Sequence, residues 1–400
     1  FTFDRNLKGI QISARELKKM NGYYDALVPF KNQLKCTDTL TAVWITVQCP
    51  SRVPVGKYHQ TIKIEGSKHF TIQLDYNVHH TTIPLKSSIP ITVGVENRCV
   101  AEGLNDKEAD KERQRWVDFV LSYRMTPVFG TQITPERWQY EHLFSAWAWN
   151  DKRSIRLLND RRYSCYMLPF FTLSENELAS LLCNIQKKGK LKESLFYIWD
   201  EPAYMEDYEQ IKQKVNIIRK YASDARILTT FFCGPRNGPR KGDLYAVFDY
   251  LKHHIHVATI SLAPCKGNEE EVQHIRYKVP EGIDWWSYVC WQPGGNEPNF
   301  LLQMKGIQQR AIMWRTWKNG SQGFLYWNCN IYHKRNPFTY ITDMPHGDGI
   351  LIYPGDILGR KGPIASARLE RWRDGAEEME LLRLVEKNYS KEKADTLLNI

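Results

Sequence analysis

The first eighty residues alternate polar and apolar positions with a period of two. Ala42–Val47 reads as one strand, and Gly56–Ile64 and His69–Tyr76 as two more, joined at the turn signal Glu65-Gly66-Ser67-Lys68. A pair of strands with so short a turn makes a hairpin, and several hairpins make a β-sandwich. Pro84 and Pro90 bracket a linker. After Pro90 the texture changes to short apolar runs that alternate with stretches of helical period, the pattern of βα units on a parallel sheet. Eight runs qualify as strands: Ile91–Glu96, Met125–Phe129, Cys165–Phe170, Leu195–Trp199, Arg226–Phe231, Val257–Ser261, Trp286–Cys290 and Gly323–Asn328. Helices are predicted between them at Asp106–Tyr123, Pro135–Trp147, Ser174–Lys187, Tyr204–Tyr221, Gly242–His253, Glu269–Val279 and Asn299–Asn319, with a closing helix at Leu369–Asn388.

Eight strand–helix units over some three hundred residues predict a (β/α)8 TIM barrel behind a small N-terminal β-sandwich. The division expected is a sandwich domain over residues 1–86 and a barrel over 87–400. A doubly wound sheet is the competing architecture, but no G-x-G-x-x-G follows the first strand.

Composition narrows the function. The net charge of +10 attracts anionic partners, yet there is no Lys/Arg run, zinc-finger spacing or RNA-recognition motif, so nucleic acid is not the expected partner. No apolar run reaches the eighteen or so residues that a membrane span needs. Nine cysteines, an odd number without C-x-x-C, suggest thiols rather than a disulfide framework and favour a cytoplasmic setting. The chain opens on Phe1 rather than Met, which leaves room for a removed N-terminal signal. His253-His254-x-His256 lacks the H-E-x-x-H pattern, so neither a metal nor a cofactor is expected. Thirteen Trp and 21 Tyr exceed what packing alone requires and supply flat platforms for sugar rings, although any single Trp fits a core equally well.

The sharpest motif is Leu195-Phe196-Tyr197-Ile198-Trp199-Asp200-Glu201-Pro202. An apolar strand ends in two adjacent acids, at the face where barrel enzymes keep their active sites. Neighbouring side chains of a regular strand point apart, so two consecutive acids share one site only where the strand stops, and Pro202 stops it. Two close carboxylates cannot both stay charged easily, so one becomes a proton donor beside an anion, a division suited to cleaving a glycosidic bond. The competing reading is a helix N-terminus, where Asp, Glu and Pro are all favoured.

The segment Tyr197–Pro202 resembles the catalytic D-E-P segment of glycoside hydrolase family 123, the β-N-acetylgalactosaminidases. The resemblance continues through Pro298-Asn299-Phe300, Arg310, Trp314, Gly323–Trp327, Asn330, Gly347–Gly355, Ser366–Glu370 and Arg373-Asp374-Gly375, and so spans most of the chain. It implies a retaining, substrate-assisted mechanism. The sugar's 2-acetamido oxygen attacks its own anomeric carbon, Glu201 serves as general acid/base, and Asp200 holds the acetamido N–H. Asn328-Cys329 and Glu378 depart from the pattern and bear on substrate choice. The implied partner is a glycan carrying N-acetylhexosamine; the net charge allows it to be anionic. Position places Tyr288 and Trp291 at the end of the seventh strand, and Trp327 and Asn330 at the end of the eighth. Trp291 or Trp327 is the expected sugar platform, Asn330 a hydroxyl partner, and Asp348 either another hydroxyl partner or a turn residue. The loop Gly234–Gly242 is not a P-loop but follows the fifth strand, which makes it a candidate for lining the mouth. Two alternatives stay open: a two-carboxylate glycosidase that pairs Glu201 with an acid such as Glu96, and a barrel that binds glycans without cutting them.

Overall fold

A computed structural model describes the chain except residues 1, 4–9, 21, 31–32, 36–39, 135–136, 142–150, 264–276, 333–336, 338–344 and 399–400. Two three-stranded antiparallel sheets come first. One pairs β1 (Thr2–Phe3), β5 (Gly56–Glu65) and β6 (His69–Val78); the other pairs β3 (Tyr23–Pro29), β2 (Gln11–Met20) and β4 (Ala42–Gln48). The β5–β6 hairpin runs in register from Gly56↔Val78 to Glu65↔His69, as the alternation predicts.

The barrel follows as parallel strands in the order β10 (Tyr166–Met167), β11 (Ser194–Trp199), β12 (Arg226–Phe231), β13 (Val257–Ser261), β14 (Asp284–Val289), β15 (Phe324–Tyr326), β7 (Ile91–Glu96), β8 (Thr126–Thr134). All residues of β7 and β13 are buried, because helices cover the outer face while side chains fill the lumen. Among the described residues no backbone ladder joins β8 to β10. The seam there is closed by hydroxyls: Ser164 N–H donates to Thr126 Oγ1 at 3.2 Å, the two side-chain oxygens lie 2.9 Å apart, and Ile91 N–H donates to Ser164 Oγ at 3.0 Å.

Val128, Met167, Leu195, Tyr197, Leu228, Val257 and Trp286 pack together inside the barrel. Residue 323 must be glycine, since a Cβ there would sit 2.3 Å from the Trp286 ring. Outside, the helices present the apolar faces their periodicity predicts. In the helix Glu175–Lys187 Leu178, Leu181, Leu182 and Ile185 are buried, and Ser174 and Glu177 form the expected capping box.

Two predicted helices change. Arg137–Glu141, inside the helix expected over Pro135–Trp147, is a strand, β9, antiparallel to an extended β8. Arg-Trp-Gln-Tyr-Glu alternates with period two, and its aromatics favour a strand. The helix expected over Asn299–Asn319 begins only at Gly306 and is split into Gly306–Arg310 and Ile312–Lys318. Asn299 is committed elsewhere, as described below. The helix expected over Glu269–Val279 lies mostly outside the described residues.

The closing helix, Ala367–Asn388, joins barrel to N-terminal sheet through two buried ion pairs. Arg368 holds Asp25 of β3 at 3.0 Å, and Glu370 accepts from Arg15 of β2 at 2.8 Å. Arg310, Trp314 and Glu378 also cluster, with the Trp314 indole donating to Glu378 Oε2 at 2.8 Å and Arg310 paired with the same carboxylate. They tie the closing helix to its neighbours and do not line the pocket described below.

Candidate active site

At the C-terminal end of β11 the register against β12 shifts between Tyr197 and Trp199, and two residues later Glu201 adopts φ +45°. A bulge followed by a left-handed residue re-aims the chain, so that consecutive acids line one pocket instead of opposite faces. Non-glycine residues rarely take this conformation, and it concentrates at functional sites.

The carboxyl of Asp200 is fixed from beneath. Tyr197 O–H donates to Oδ1 at 2.6 Å and Thr230 O–H donates to the same oxygen at 2.9 Å. Thr230 in turn accepts the Glu201 backbone N–H at 3.0 Å. One threonine thus positions both acids. Tyr288 O–H donates to Glu201 Oε1. Burial away from water pushes the Glu201 carboxyl above its ordinary range; the Tyr288 bond opposes that rise and the Asp200 charge adds to it.

The helix-cap reading of these acids does not hold. The helix Met205–Arg219 is capped by its own Asp207, whose Oδ2 accepts from the N–H groups of Ala203 and Tyr204 at 2.9 Å each. Asn237 accepts from Met205 N–H at 2.8 Å. Asp200 and Glu201 are therefore free for chemistry.

A pocket of about 220 Å3 opens over these residues. Thr92, Val128, Met167, Asp200, Glu201, Thr230, Tyr288, Trp327 and Asp348 line it. Trp291 lines the rim and is 51% exposed. Its loop is pinned by Asn299, whose amide donates to the carbonyls of Cys290 and Pro293 at 2.8 Å each. The indole of Trp327 donates to Asp348 Oδ1 at 2.8 Å. Asp348 sits between Gly347 and Gly349, both at positive φ, and a Cβ on Gly349 would come within 2.6 Å of the Trp327 ring. The tight turn and the buried acid are thus one device. Burial raises the Asp348 carboxyl to about 6 against the bonds from Trp327 and Tyr326.

Asn330 stands apart from the pocket. Its Oδ1 accepts from Glu96 N–H at 2.7 Å and its amide donates to Glu96 C=O at 3.2 Å, a clamp between first and eighth strands. Glu96 Oε1 accepts from Arg98 N–H at 3.0 Å and does not line the pocket either. His256 accepts the Ile227 N–H at 3.2 Å, a structural use. None of the seven cysteines among the described residues is in a disulfide; Cys99, Cys165 and Cys329 are buried. Sequence reasoning missed Tyr197 and Thr230. The available signal was polar groups at the ends of otherwise apolar strands that converge on the acids.

The catalytic-domain pattern of glycoside hydrolase 123 matches residues 111–385. The chain belongs to glycoside hydrolase family 123. Among solved structures, a family 123 glycoside hydrolase from Clostridium perfringens, described for glycolipid glycan hydrolysis, superposes with a TM-score of 0.64. It is 14% identical over 97% of this chain and 78% of its own. A β-galacturonidase from Eisenbergiella tayi (11% identity, 93% and 68% coverage, TM-score 0.42) and a xylanase from Cellvibrio japonicus (12%, 74% and 98%, 0.41) are more distant. No curated protein matches the chain in sequence. Family 123 membership makes the chain a glycoside hydrolase. Among the described residues no helix is long and apolar enough to cross a membrane.

Proposed function

We propose that this enzyme releases β-linked N-acetylgalactosamine from glycans with retention of configuration, the substrate's own acetamide acting as nucleophile. The observation that carries the reading is the pairing of a propped Asp200 with a Glu201 whose carboxyl is held above its ordinary range. Glu201 gives its proton to the leaving glycosidic oxygen as the C1–O bond breaks. The acetamido oxygen attacks C1, and Asp200 accepts the acetamido N–H and balances the growing positive charge of the oxazolinium. Water then adds to C1 and gives its proton to Glu201 as the ring of the intermediate opens. With Glu96 turned to its own helix cap, the two-carboxylate alternative loses the partner it would have used. Trp291 at the rim offers an apolar face to the sugar or its aglycone, and the positive net charge suits an anionic glycan.

The test is turnover of an aryl β-N-acetylgalactosaminide followed by proton NMR. The first-formed product is expected to keep the β configuration, and a thiazoline mimic of the intermediate to inhibit competitively. Inversion at C1, or a covalent glycosyl-enzyme detected by mass spectrometry, refutes the mechanism.

A further inference from the structure

Asp348 is buried in the pocket wall, 3% exposed, and its two oxygens are treated unequally. Oδ1 accepts from the Trp327 indole at 2.8 Å and from Tyr326 O–H at 3.2 Å. Oδ2 has no donor among the described residues. A buried carboxylate oxygen without a donor is costly unless a ligand supplies one. Asp348 lines the same pocket as Glu201, and strand order sets the two far apart around the barrel. Glu201 follows β11, whereas the partners of Asp348 stand at the end of β15, four strands away around the barrel by either route. A sugar whose glycosidic oxygen meets Glu201 therefore turns its far edge, the one bearing O3, O4 and O6, toward Asp348.

We propose that Asp348 determines which sugar the pocket accepts, its Oδ2 taking a hydrogen bond from one hydroxyl on the ring edge remote from the scissile bond. This rests on Glu201 acting at the glycosidic oxygen, as proposed above. The carboxylate form makes the stronger acceptor, so affinity falls as pH drops through about 6, where burial has moved this group. The charged and titratable groups facing Asp348 are Arg368, which favours its ionised form, together with Tyr326 and Cys290.

The experiment is a substrate-by-variant cycle. Using whichever aryl glycoside the wild type cleaves, kcat/KM is measured for the parent and its 3-, 4- and 6-deoxy analogues, on wild type, Asp348→Asn and Asp348→Ala. Asn keeps the Oδ1 acceptor and replaces only Oδ2 with a donor. Wild type is expected to lose roughly 10- to 100-fold on one analogue. Asp348→Asn loses a similar factor on the parent, chiefly through KM, loses nothing further on that analogue, and no longer shows the rise in KM below pH 6. Equal, independent losses on all three analogues overturn the proposal. So does a kcat collapse that azide rescues as a glycosyl azide, which would make Asp348 a nucleophile. Should the parent lack an acetamido group, the substrate-assisted reading fails while this cycle still runs to its own answer.

Discussion

Asp25 and Asp348 are both carboxylates shut away from water, 2% and 3% exposed, and Arg368 reaches the surroundings of both. At Asp25 every need is met. The Arg368 guanidinium donates to Oδ2 at 3.0 Å from Nε and again from Nη2, and Tyr353 O–H donates at 2.5 Å. The same guanidinium then donates to the Gly347 carbonyl at 2.9 Å, which steadies the turn carrying Asp348. Asp348 itself receives only half a set of partners. One carboxylate fastens the N-terminal sheet to the barrel; the other is left wanting at the mouth. Satisfied burial marks a joint, and unsatisfied burial beside a pocket marks a place where a ligand completes the structure.

That contrast can be pressed from both ends. The largest effect is expected at the mouth. Glu201→Gln keeps shape but has no proton to give, so turnover of a natural glycan falls by roughly 10²–10⁴, with less loss on activated aryl leaving groups. Because burial raises the Glu201 carboxyl, the wild-type rate declines as pH rises through that raised value, and this alkaline limb disappears in the variant. Stability by urea denaturation does not fall, and rises at pH above the raised value because the ionised carboxyl works against folding; a large stability loss would place Glu201 with Asp25 instead. The joint shows the reverse signature. Asp25→Ala leaves Arg368 buried and unpaired and costs about 3–5 kcal/mol by the same measurement. A variant as stable as wild type would mean that the sheet is not fastened there.

The smallest effect is a gain. The Asp348 carboxyl is raised in the folded state from 3.8 to about 6, so its ionised form works against folding. The penalty is absent below pH 4 and complete above pH 6, on the order of 3 kcal/mol at most. Asp348→Asn is therefore expected to be more stable than wild type at pH 7–8, with the advantage fading between pH 6 and 4. An Asn variant less stable at neutral pH would show that the turn, not a ligand, sets the residue.

Much of this was legible beforehand. Barrel strands such as Val257–Ser261 were readable because strands buried on both faces become unbroken apolar runs. The Asp200-Glu201-Pro202 segment stood out because acids interrupt such a run. The rest depended on distances in space. Asn330 looks like a hydroxyl partner at the end of a strand, but its amide matches the backbone of Glu96, a residue 234 positions away. Thr230 looks like an ordinary strand threonine until β12 is set beside β11. The helix expected over Asn299–Asn319 fails at its start because Asn299 is drawn away to hold the Trp291 loop, and no periodicity records that.

The left-handed backbone at Glu201 has a consequence for descent. A glutamate at φ +45° carries about 1–3 kcal/mol of strain that glycine would relieve and asparagine would lessen. Relief of that strain favours Gly or Asn at this position, and only the acid's chemistry favours glutamate. A lineage of this fold that had ceased to cut sugars and kept only their binding would be expected to lose the acid first at residue 201, long before the pocket around it eroded.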